Sequence, residues 1–238
     1  MNTILHIDTS GPDALIGISQ DLKIIASKQN SQSNTHGEFV QAGVDELFRD
    51  SAMQLKDIDA IGVTMGPGSY TGLRVGLASA KGLAFALNKP LIGLSTLTLL
   101  AKAAVGHLTA TENPLVNEKQ LQVFSMIDAR RMEIFGAIYN SSLGYLAAEK
   151  AMILDEALLL ALLSNGPLIC IGSGVAKTKI LTQHADFQNS SPLFLDYSYT
   201  IHDMAALAMI KFKAADFEDL AYSGPAYLKD YYQKPLIK

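Results

Sequence analysis

The sequence is poor in charge and in cysteine, and it has no long hydrophobic run. Charged residues make up 18% of its 238 positions and hydrophobic residues 49%. That balance indicates extensive burial, subunit contacts included. Positive charge is the scarcer sign, with 19 Lys and Arg against 23 Asp and Glu and a net charge of −4. Non-specific nucleic-acid affinity comes from neutralising phosphates, so such a chain is a poor nucleic-acid binder by itself. A single cysteine, Cys170, excludes an internal disulfide. Within Leu168-Ile169-Cys170-Ile171 it reads as a buried small hydrophobe with no base to activate it. The most apolar helical stretch, residues 157–163, is far too short to span a bilayer. The N-terminal stretch lacks a basic region and is interrupted by Asp8. The expectation is a protein with neither signal peptide nor membrane span, in the cytoplasm. The five histidines are His6, His36, His107, His184 and His202, and no two stand four apart. Val40 occupies the position four after His36, so that helix cannot present two imidazoles on one face to a metal.

What is present centres on Gly66-Pro67-Gly68-Ser69-Tyr70-Thr71-Gly72-Leu73-Arg74. It follows the apolar run 60–65 and precedes a long helical pattern rich in small residues. A strand, a glycine turn and a helix start together expose backbone N–H groups, which suit either an anion or a closely packed neighbour. The loop is not a Walker A loop, because no Lys follows Gly72 until Lys81. It is not the dinucleotide fingerprint, because Thr71 stands where the third Gly belongs. It is not a serine elbow, because Tyr70-Thr71 separates Ser69 from Gly72. Pro67 is expected to hold Gly66 extended.

The chain also echoes itself. Strands are expected at 4–8, 14–18 and 22–26 around turns at 9–13 and 20–21. The same order returns from Phe124 to Leu146, with Ile127-Asp128 answering Ile7-Asp8 and Gly136 answering Gly17. Ile61-Gly62 leads into Gly66-Pro67-Gly68 as Ile169-Cys170-Ile171 leads into Gly172-Ser173-Gly174. A helix at 36–51, apolar at Phe39, Val40, Val44, Leu47 and Phe48, has its counterpart near 154–163. Two matched segments in one order indicate a duplication. The polar stretch 107–114 marks the join, giving lobes 1–106 and 107–238.

Ile4-Leu5-His6-Ile7-Asp8-Thr9-Ser10, His36-Gly37-Glu38, the Gly66–Arg74 loop, Ile127-Asp128-Ala129-Arg130 and Pro225-Ala226-Tyr227-Leu228-Lys229 closely resemble the TsaB (YeaZ) family. The resemblance runs in order over nearly the whole chain. It implies an α/β fold of the actin-like ATPase/sugar-kinase/Hsp70 (ASKHA) class, two ribonuclease-H-like lobes with mixed sheets flanked by helices. It also implies a non-catalytic partner of a TsaD-like transferase. That transferase places a threonylcarbamoyl group on the adenosine beside the anticodon of tRNAs reading codons that begin with A. A TsaE-like ATPase completes the complex, tRNA is reached through the complex, and the chain alone is expected to form a homodimer. No cofactor and no metal are expected in the isolated chain, with ATP or ADP entering through the partners.

The resemblance places the partner surface on the helices 36–51 and 71–88. Phe39, Val40, Val44 and Leu47 come from the first. Tyr70, Arg74, Gly76 and Ala80 come from the second, where Gly72, Gly76, Ala80 and Ala84 clear one face for close approach. That cleared face suits the protein's own sheet as well as an external helix. Asp8, Thr9, Gly66 and Gly68 are the candidate phosphate-binding residues. Asp8 stands where a kinase of this fold holds a phosphate-bound metal, and it equally suits an Asx-type turn. Tyr227 to Lys234 mixes tyrosines with lysines, a composition that suits tRNA or an ordinary solvated end. A small-molecule kinase of the same fold and a glycoprotease-type metallopeptidase are the rival functions.

Overall fold

The computed structural model describes residues 1–32, 35–183, 187 and 191–229. His184 and the tail beyond Lys229 lie outside them.

Each half builds one five-stranded mixed sheet. In the first, β1 (Thr3–Asp8), β2 (Ala14–Gln20) and β3 (Lys23–Asn30) form an antiparallel meander. Then β4 (Ala60–Gly66) runs parallel to β1, and β5 (Leu91–Ser95) parallel to β4, giving the order β3-β2-β1-β4-β5. The second half repeats this with β6 (Gln122–Asp128), β7 (Glu133–Tyr139), β8 (Tyr145–Ile153), β9 (Leu168–Ile171) and β10 (Leu193–Leu195), in the order β10-β9-β6-β7-β8. The repetition extends to single residues. Gly17 pairs with His6 as Gly136 pairs with Met126. The duplicated fold is thus the expected α/β pair of ribonuclease-H-like lobes.

Helix α1 (His36–Asp50) and helix α2 (Tyr70–Leu87) cover one face of the first sheet. Short helices α4 (Glu156–Ser164) and α5 (Val175–Leu181) serve the second. Asp155 caps α4 by accepting from the Leu158 N–H at 2.8 Å, satisfying one orphan donor of the first turn. The remaining two helices cross over. α3 (Thr96–Ala110) sits in the first half of the chain, yet Leu97, Leu100, Ala104 and Leu108 join Val123, Ile169 and Ile171 of the second sheet in one core. α6 (Ile201–Lys213) follows the second sheet and packs Ile201, Met204 and Ala208 onto Ile4, Ile92 and Leu94 of the first. A boundary at residue 106 therefore falls inside α3. By packing, the lobes exchange helices, which a split by chain order misses.

The apolar face of α1 is core. Val40 and Leu47 are each 1% exposed, and Val44 and Phe48 5%. They pack on Ile16, Ile18, Ile61 and Val63 of the sheet beneath. Ala80 on α2 belongs to the same core. The expected contiguous apolar patch of Phe39, Val40, Val44, Leu47 and Ala80 is thus not on the surface, and only Phe39 among them keeps partial exposure. The periodicity identified a buried side correctly, and the lobe's own sheet is what covers it.

Candidate functional site

The two lobes face each other across a cleft of about 1520 Å³, lined by Asp8, Ser69, Thr71 and Tyr199 on one side and Asp128 and Ser173 on the other. The ends of β1 and β6 point into it.

Asp8, the acidic member of the candidate phosphate residues, is held by Ser10, Thr64 and Tyr199. Asp8 is 4% exposed. Its Oδ1 accepts from the Ser10 N–H at 2.8 Å and the Thr64 hydroxyl at 2.7 Å, and its Oδ2 from the Tyr199 hydroxyl at 2.7 Å. The Ser10 hydroxyl in turn donates to the Tyr199 oxygen at 3.0 Å. The bond to residue i+2 is an Asx turn. Asp128 repeats it, accepting from the Arg130 N–H at 2.6 Å. Burial, and next the Asp8 charge, raise the Tyr199 phenol well above its usual range, so it stays a protonated donor. Neither Tyr199 nor Thr64 stood out in the sequence. Tyr199 lies 191 residues from Asp8, in a segment without periodicity.

The glycine loop is filled by the chain itself. The Thr9 hydroxyl donates to the Gly72 carbonyl at 2.6 Å, and the Ser69 N–H to the Ser10 carbonyl at 2.7 Å. A Cβ on Gly72 would lie 2.0 Å from the Thr9 carbonyl oxygen, and one on Gly68 2.4 Å from that of Ser10. On Gly76 it would lie 2.3 Å from Thr9 Oγ1. These glycines admit the β1–β2 turn, so Gly76 faces the lobe's own turn and is not an outward contact. Ser69 caps α2, accepting from the Gly72 N–H at 3.2 Å. Gly66 adopts a φ of +114° before a cis Pro67, in place of the expected extended form. With no Cβ it escapes the restriction a proline imposes on its predecessor.

Tyr70 and Arg74 are exposed at the start of α2. The Arg74 guanidinium lies 4.1 Å over the Tyr70 ring and donates to the Tyr227 hydroxyl at 3.0 Å. Residues 216–229 form a strap that reaches this corner. The Ala226 N–H donates to the Met65 carbonyl at 2.7 Å, and Lys81 Nζ to the Ser223 carbonyl at 2.9 Å. Lys229 pairs with Glu133 of the second lobe at 2.5 Å. The rest of α2's outer side, Thr71, Ala78, Gly82, Phe85 and Ala86, is exposed and uncharged, with Phe85 82% exposed. α1 lies alongside, Gly37 facing Val75.

The other candidates resolve simply. His36 is buried and donates from Nε2 to the Pro12 carbonyl at 3.2 Å, a helix-start contact. Cys170 is buried, and burial pushes its thiol far up, which keeps it unreactive. His6 is fully buried with Nε2 2.8 Å from Ser19 Oγ, and burial lowers it to about 3. Among the described residues, no three His, Cys, Asp or Glu side chains converge as metal ligands, and no helix is long and apolar enough to cross a membrane.

Comparison with known proteins fits this architecture. The family described as "TsaD: tRNA N6-adenosine threonylcarbamoyltransferase" matches residues 23–236. The chain is 31% identical over 159 residues to the tRNA threonylcarbamoyladenosine biosynthesis protein TsaB of Bacillus subtilis, covering 67% of this chain and 63% of that one. With the protein of the same name in Haemophilus influenzae it is 34% identical over 133 residues, covering 56% and 52%. YeaZ from Pseudomonas aeruginosa superposes with a TM-score of 0.76 over 96% of this chain and 100% of that one, at 22% identity. The chain belongs to this threonylcarbamoyltransferase family, within its TsaB (YeaZ) branch. It spans about half to three-fifths of the length of the curated relatives it matches.

Proposed function

We propose that this chain is a non-catalytic scaffold subunit in tRNA threonylcarbamoyladenosine formation. It binds a TsaD-like transferase and enables transfer to the adenosine beside the anticodon of tRNAs reading codons that begin with A. A TsaE-like ATPase and tRNA join through the complex, and a second copy of the chain takes the transferase's place when the chain is alone. Any ATP or ADP is held in the assembly by the partners.

The observation that carries this reading is the contrast between two faces of α2. Its inner face packs closely on Thr9 and Ser10 of the β1–β2 turn. Beyond Arg74 its outer face exposes Ala78, Gly82, Phe85 and Ala86, all uncharged, with Phe85 standing clear at one end. Small residues allow close helix approach, and an aromatic anchor beside them is typical of an interface centre. Tyr70 and Arg74 form the rim. Val44 and Ala80 are core, so a charge there would unfold the lobe. The discriminating substitution is Gly82→Arg, where an added side chain meets nothing within 4 Å.

Reconstitution tests the proposal. The transferase should modify tRNA only with this chain present, and equal modification without it defeats the reading. Gly82→Arg should keep or slightly raise the wild-type melting temperature and weaken transferase binding at least tenfold, about 1.4 kcal/mol. Full-affinity binding by a folded Gly82→Arg variant places the interface elsewhere. The kinase alternative predicts tight binding of ATP with magnesium to the isolated chain, lost in Asp8→Ala, which calorimetry measures.

A further inference from the structure

We propose that the tip of the β6–β7 hairpin, Arg130 and Arg131 with Lys229 at its base, is a contact for the phosphate backbone of RNA. The proposal rests on the tRNA reading above, which supplies the polyanion.

Arg130 and Arg131 have φ of 71° and 49°. Two consecutive non-glycine residues in the left-handed region are costly, and turn chemistry alone would choose Gly or Asn there. The turn does not need the guanidinium groups. The Ala129 N–H donates to the Glu133 carbonyl and the Glu133 N–H to the Arg130 carbonyl, each at 3.1 Å. Asp128 Oδ1 accepts from the Arg130 N–H and from Lys177 Nζ at 2.7 Å, and Lys177 Nζ also donates to the Glu133 carbonyl at 2.8 Å. Backbone, Asp128 and Lys177 therefore hold the hairpin closed, and the arginine side chains are left to point into solvent.

The local carboxylates offset only part of this charge, and Glu133 also feels Arg131. Asp128 is taken by Lys177 and Glu133 by Lys229. Among the described residues, neither Arg130 nor Arg131 closes an ion pair or a side-chain hydrogen bond. Four cations, Arg130, Arg131, Lys177 and Lys229, stand against two carboxylates, Asp128 and Glu133, leaving two positive charges in a chain of net charge −4. A local excess of cations suits a polyanion. Guanidinium forks match phosphate oxygens bidentately, and Arg is the side chain that serves this best.

The test is the pair Arg130→Asn with Arg131→Gly. Both replacements accept positive φ, so the folded state is relieved of strain and the melting temperature should hold or rise by roughly 2–4 °C. Wild type and variant are mixed with the transferase and run on a sizing column. If the proteins co-elute, fluorescence anisotropy with labelled, unmodified tRNA follows across a salt series. The variant complex should bind about tenfold more weakly near 0.1 M salt, with the log–log salt slope smaller by roughly 1.5–2. Lysines at both positions should restore most of that slope. Unchanged affinity and slope overturn the proposal. So does a fall in melting temperature that accompanies lost binding, since the arginines would then be structural. If the proteins do not co-elute, the scaffold reading falls by itself, and the isolated chain is titrated with the same tRNA at low salt. Binding that drops in the variant keeps the RNA contact, and equal or absent binding removes it. Inorganic tripolyphosphate that competes as strongly as tRNA would also overturn it, by assigning the hairpin to a small anion.

Discussion

Replacing Tyr199 with Phe should destabilise the protein by about 2 kcal/mol. The ring remains, so packing is conserved, and only the hydroxyl is lost. Among the described residues that hydroxyl is the sole donor to Asp8 Oδ2, and it accepts from Ser10. Asp8 is 4% exposed, so water cannot freely replace the donor. A hydrogen bond to a charged group contributes about 1.5–3 kcal/mol, and the orphaned carboxylate oxygen keeps its desolvation cost. Asp8 Oδ1 retains Ser10 N–H and Thr64, which holds the loss to the lower part of that range. Urea denaturation should show a lower midpoint at unchanged slope, and the melting temperature should fall by about 4–8 °C. Asp8→Asn and the double variant complete a cycle, with an expected coupling of at least about 1 kcal/mol. The pH dependence adds a second signature. Tyr199 titrates far above the unfolded tyrosine value, so its contribution is complete below pH ~10 and declines above it by about 1.4 kcal/mol per pH unit. The Phe variant should lack that share of the alkaline slope. A Tyr199→Phe variant within about 0.5 kcal/mol of wild type, or a purely additive cycle, refutes the assignment of Asp8 to structure.

Two further expectations follow from burial and close approach. His6 is lowered by burial to about 3, so the unfolded chain binds its proton below pH ~6.5 and the folded chain does not. Stability is then complete above pH ~6.5 and falls by about 2 kcal/mol by pH 5, and His6→Gln should flatten that decline in urea midpoints taken at pH 7.5 and 5. An unaltered decline in His6→Gln would move the effect to another group. On α2, Gly72→Ala drives a Cβ to 2.0 Å from the Thr9 carbonyl oxygen and should cost more than about 3 kcal/mol, whereas Gly82→Ala meets nothing within 4 Å and should add about 0.5–1 kcal/mol of helix propensity. Thermal denaturation of the two variants checks the pair, and equal effects would contradict the geometry.

The sheets were legible because their signals are local. Alternating apolar runs, turn residues and the echo of Ile7-Asp8 in Ile127-Asp128 mark a meander twice over, and each is read within a few residues. The Asx turn at Asp8 was legible for the same reason. What covers an apolar face is not local. The period of Val40, Val44 and Leu47 states that one side of α1 is buried, and only the sheet beneath decides by what. The packing of α6 on the first sheet and the Tyr199–Asp8 bond join positions far apart in the chain, and no nearby residue signals either. The outward face of α2 did leave a trace, the absence of any charge at Thr71, Ala78, Gly82 and Phe85. It was masked by the more regular glycine–alanine series on the opposite side of the helix.

The crossing of α3 and α6 has a consequence for synthesis on the ribosome. When β5 has emerged, the first sheet has all its strands, yet Ile4, Ile92 and Leu94 await Met204 and Ala208. At about 5–20 residues per second that greasy side stays bare for on the order of 10 seconds. The nascent half-molecule is thus a client for holding chaperones, and neither half is expected to survive as a separately expressed fragment.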